Sequence, residues 1–99
     1  MADKIKTLSQ AIRLGATFRP QGWGWMYTIA NDSTCAIGAA LDAVGLLETN
    51  LPSQDAGVLS TLFSRFKISH ETAMEIVNRN DGLGHTREQI ADWLEAQGL

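Results

Sequence analysis

Apolar residues recur at three- and four-residue spacing along most of this chain and at two-residue spacing in one short stretch. Ile5, Leu8, Ala11, Ile12 and Gly15 predict a helix over about 4–14, with Asp3 as its cap, Gly15 as its closing residue and Pro20 beyond its end. Between 22 and 30 the period drops to two. Trp23, Trp25, Tyr27 and Ile29 alternate with Gly24, Met26, Thr28 and Ala30, and Asn31-Asp32-Ser33 follows as a turn. A lone strand leaves backbone groups unpaired, so the expectation is a hairpin, or an extended segment laid across helices.

The helical period then returns. Cys35 or Ala36 to Val44 reads as a helix stopped by Gly45, with Ile37, Ala40, Leu41 and Val44 as its buried stripe. Gly38, Ala39, Ala40 and Ala43 leave so little side chain around it that another helix can approach closely, which makes it the central helix. Pro52-Ser53 opens a further helix over about 54–65, with Val58, Leu59, Leu62, Phe63 and Phe66 apolar. Ser69 caps one over about 70–79, turning Ile68, Ala73, Ile76 and Val77 inward. Thr86-Arg87-Glu88-Gln89 is a capping box that starts the last helix, which buries Ile90, Ala91, Trp93 and Leu94 and ends at Gly98. The prediction is an all-α single domain over 1–99, a compact orthogonal array of about five helices with one short extended or hairpin segment near 23–35.

Composition agrees with a globular domain: 44% hydrophobic and 19% charged residues in 99. The net charge of −3 falls entirely in residues 51–99, since the basic and acidic residues of 1–50 cancel. Phosphate-backbone binding needs clustered cations, so a nucleic-acid-binding module is only the third reading. A helix-turn-helix is disfavoured too. The connection before the last helix is about six residues, and that helix carries Glu88, Asp92 and Glu95 against Arg87. The single cysteine excludes an internal disulfide or a paired-cysteine metal knuckle and points to a reducing, cytoplasmic setting. The N-terminal lysines have no apolar run behind them, so a signal peptide is not expected, and the longest apolar stretch, Cys35 to Leu47, contains Asp42 and is too short to span a bilayer.

Cys35 is the sharpest chemical candidate. A thiol at a helix N-terminus feels the helix dipole and unpaired amides, which favour thiolate. A thiol-dependent hydrolase or transferase would add a histidine base and an orienting partner. His85 and Asp81 are the candidates, with His70, Asn78 and Asn80 also near in sequence. Against this, free cysteine is among the most buried residue types, and the small apolar neighbours Ala36, Gly38 and Ala39 favour a packing role. The Asn80–Thr86 stretch suggests oxygen ligands. Counted from Asn78, however, Leu83 stands where a calcium loop needs glycine and Gln89 where it needs glutamate, so no metal is expected. The stretch reads instead as a rigid corner in which Asx side chains bond their own backbone. His70 reads as exposed. No cofactor is implied.

Two segments, Cys35-Ala36-Ile37-Gly38-Ala39 and Asn80-Asp81-Gly82-Leu83-Gly84-His85-Thr86-Arg87-Glu88-Gln89-Ile90, resemble a family of small bacterial and phage proteins of unknown function. That family shares a Cys-Ala-aliphatic-Gly-Ala stretch and a later Asn-Asp-x-x-Gly-x-Ser/Thr-x-Glu stretch. The resemblance brings no activity, and its pattern leaves the position of His85 variable. The preferred reading is therefore a small non-catalytic interaction or accessory domain. The aromatic segment with Trp23, Trp25 and Tyr27 is either a lid on the core or the surface for a protein partner or self-association.

Overall fold

A computed structural model of the chain describes residues 5–23, 27–28, 32–45, 57, 60 and 64–99. Four helices are bounded within it: α1 (Leu8–Gly15), α2 (Ala36–Ala43), α3 (His70–Val77) and α4 (Arg87–Ala96). Residues 57, 60 and 64–66 are helical as well, which makes an all-α fold of about five helices. The predicted inward set Val58, Leu59, Leu62 and Phe63 lies outside the described residues, as does Trp25. No helix among the described residues is long and apolar enough to cross a membrane.

The first helix starts later than its apolar spacing predicts. Thr7 is its cap, and Asp3, the predicted one, lies outside the described residues: the Thr7 hydroxyl accepts from the Gln10 amide, and the Gln10 side chain accepts from the Thr7 amide, a reciprocal box. Gly15 is also reassigned. It is the last residue of α1 rather than a left-handed residue after it, with Ala16 in helical conformation behind it. A Cβ on Gly15 would lie 1.7 Å from the carbonyl oxygen of Ala39, so this glycine is where α1 touches the backbone of α2. The small residues of α2 allow that contact. Ala36, Ile37, Gly38, Ala39, Ala40 and Leu41 are all buried, as a central helix requires. At its far end Gly45, at φ +76°, breaks the helix in the left-handed region that glycine tolerates.

The core gathers Leu8 and Ile12 of α1, Ile37 and Leu41 of α2, Ile68 and Ile76 around α3, and Ile90 and Leu94 of α4. The caps at Ser69 and Thr86 form as predicted, with Ser69 Oγ accepting from the Thr72 amide and Thr86 Oγ1 from the Gln89 amide. On the outside, Arg13 donates to Asp92 and Glu95, bridging α1 to α4, and the Arg79 guanidinium covers the half-buried Trp93 ring at 4.1 Å.

The two-residue period yields a minimal hairpin. β1 (Tyr27–Thr28) pairs antiparallel with β2 (Ser33–Thr34), Tyr27 opposite Thr34 and Thr28 opposite Ser33. Asp32 turns between them at φ +52°. β2 also pairs on its other side with residues 20–22, parallel through Gln21 and Thr34. The Gly22 amide donates to Thr34 O and the Thr34 amide to Pro20 O. β2 is thus a central rung that delivers the chain into α2.

Candidate interaction surface and the polar network beneath it

α3 does not simply stop. Residues Asn78–Gly82 form a wider turn closed by the Leu83 amide on Asn78 O, a five-residue π-type hydrogen bond, and the His85 amide reaches back to Arg79 O. The predicted corner between the last two helices therefore begins as helix, and its asparagine behaves differently from a loop asparagine. Asn80 is only 1% exposed. Its side chain bonds distant segments rather than its own backbone. Oδ1 accepts from the Ala36 amide at 3.0 Å and from Gln21 Nε2 at 3.2 Å. Nδ2 donates to Gly22 O at 3.1 Å and to Asp81 Oδ1 at 2.7 Å. All four hydrogen-bonding capacities of the amide are used.

Gln21 extends the network. Its Nε2 also donates to His85 O at 2.7 Å, and its Oε1 accepts from the Arg87 amide, one of the unpaired donors at the start of α4. Arg87 itself is 8% exposed. Its guanidinium donates to Thr34 Oγ1 at 3.0 Å and, over longer distances, to Thr34 O, Pro20 O and Ala16 O. Ala16 lies at the C-terminal end of α1, where carbonyls are unpaired and a cation is favourable. Burial pushes the Arg87 guanidinium below its ordinary range, with the Cys35 thiol and then Glu88 acting in the opposite direction.

Cys35 stands where the sequence places it, at the N-cap of α2, and its sulfur accepts from the Gly38 amide at 3.4 Å. It is 2% exposed. His85 is half-buried, its backbone serves the network, and among the described residues its imidazole makes no hydrogen bond. His70 is exposed in the first turn of α3. Asp81, the orienting candidate, accepts from Asn80.

Among the described residues, three large apolar side chains are exposed on the segments that this network joins: Phe18 at 51%, Trp23 at 55% and Leu83 at 59% exposure. Phe18 closes the turn after α1, two residues beyond the Ala16 carbonyl that Arg87 holds. Trp23 directly follows Gly22, which Asn80 holds. Leu83 directly follows the π-type turn. The polar bonds fasten the three segments to one another, so their exposed residues ride on one braced frame. Tyr27 contributes its backbone to β1. Next to the frame, Arg19 donates to Asp32 in the hairpin turn and to Asp42 of α2, and both pairings raise its already high pKa.

Sequence reasoning missed Leu83 as a surface residue, although an apolar residue between two glycines is a signal that could have found it. Gln21 and Arg87 carried no signal. No family model, curated protein or solved structure matches this chain.

Proposed function

We propose that this chain is a small non-catalytic interaction or accessory domain of a bacterium or phage, working in a reducing cytoplasmic setting. Its contact with a protein partner runs through Trp23, Phe18 and Leu83. The bacterial and phage assignment rests on the two motif segments. The observation that carries the contact reading is the exposure of Trp23 immediately beside Gly22, whose carbonyl is fixed by the buried Asn80 amide. Large apolar side chains left in solvent on a rigid frame lose little conformational freedom when covered, and aromatic residues supply much of the binding energy in protein contacts. The burial of Cys35 and its use as a helix cap support the non-catalytic side of the reading.

The test introduces a photo-reactive amino acid at position 23, at position 83 and, as control, at the exposed Glu88 position. Positions 23 and 83 are expected to cross-link to the same species, a second protein or another copy of this chain, and the control to yield none. Trp23→Ser and Leu83→Ser should then weaken binding of that species by at least tenfold without moving the melting curve. Equal cross-linking at all three positions, or unchanged binding by both variants, overturns the proposal.

A further inference from the structure

No further inference is drawn: the strongest candidate, the open groove of about 370 Å³ along α3 and the π-type turn lined by Met74, Val77, Asn78, Asp81 and Gly82, offers apolar walls and one carboxylate, and nothing in the structure shows what covers it.

Discussion

The side-chain oxygen of Asn80 accepts the amide hydrogen of Ala36 at 3.0 Å, so a residue in a late turn caps a helix that begins 44 positions earlier. The start of a helix leaves amides without partners, and a buried start must find them in side chains. Here α2 takes one partner from its own cap, Cys35, and one from Asn80. The other half of the same amide holds Gly22. One asparagine thus sets the position of α2 relative to both the π-type turn and the segment that bears Trp23.

Replacing Asn80 tests that arrangement. Asn80→Ala strands the Ala36 amide and the Gly22 carbonyl in the interior and should cost about 2–6 kcal/mol, at about 1–3 kcal/mol per stranded group. Asn78→Ala, on the exposed side of the same turn, should stay within about 0.5 kcal/mol. Asn80→Asp adds a pH signature. A carboxylate there faces Gly22 O and Asp81, so its folded pKa should rise above the unfolded value of about 3.9. Stability relative to wild type should then recover as pH falls through that raised value, where the protonated acid again donates. Urea titrations at neutral and mildly acid pH read both effects, and a pH-independent difference would contradict the assigned contacts.

Gly15 gives a prediction of opposite sign to helix propensity. In an exposed helix, glycine to alanine gains about 1 kcal/mol. At Gly15 the added carbon would collide with backbone at Ala39, which, unlike a flexible side chain, has no rotamer to move into. Gly15→Ala should therefore destabilise by about 2 kcal/mol or more, as overpacking forces α1 and α2 apart. A melting temperature at or above wild type would show that the helices separate freely.

The helices were legible because they rest on local periodicity and on caps that lie within a few residues, as with Ser69, Thr86 and Gly45. The first boundary was misplaced because Asp3 and Thr7 both satisfy a capping pattern, and only the second has a Gln10 to answer it. Gly15 was misread because a glycine after an apolar stripe has two uses, a left-handed stop or a close contact, and sequence does not separate them. The network was hidden for a stronger reason. Asn80 and Arg87 look like solvated turn and helix-surface residues, and their burial is decided by partners at positions 16–36 that no local pattern connects to them.

Arg87 tests the network from the other side. Arg87→Met keeps much of the volume but removes every donor to Thr34, Pro20 and Ala16, while sparing the cost of burying a charge. Since its buried guanidinium has Thr34 Oγ1 and three carbonyls as acceptors, the loss of bonds should prevail, and the variant should be less stable by about 1–3 kcal/mol. Burial lowers the folded pKa of this base below its unfolded value. Stability gained through that shift therefore rises with pH only in the window between the two. That window is strongly alkaline for an arginine, so the wild-type to Met difference should be flat from about pH 5 to 8. A difference that changes within this range would reveal a titrating neighbour, with Cys35 the first to examine.

Cys35 decides between a helix cap and a nucleophile. At 2% exposure it should react with iodoacetamide far more slowly in the native protein than after unfolding in denaturant. The rate should not change in His85→Ala, because no hydrogen bond from that ring reaches the sulfur. The capping role also ranks substitutions. Serine is a better helix cap than cysteine, and its hydroxyl would meet the Gly38 amide that now donates to sulfur, so Cys35→Ser should cost no more than about 1 kcal/mol despite its burial. Cys35→Ala loses both the cap and packing and should cost about 1–2 kcal/mol. Serine less stable than alanine would mean that burial of the hydroxyl outweighs the cap. Native labelling as fast as a free thiol, slowed by His85→Ala, would replace the interaction reading with a thiol enzyme.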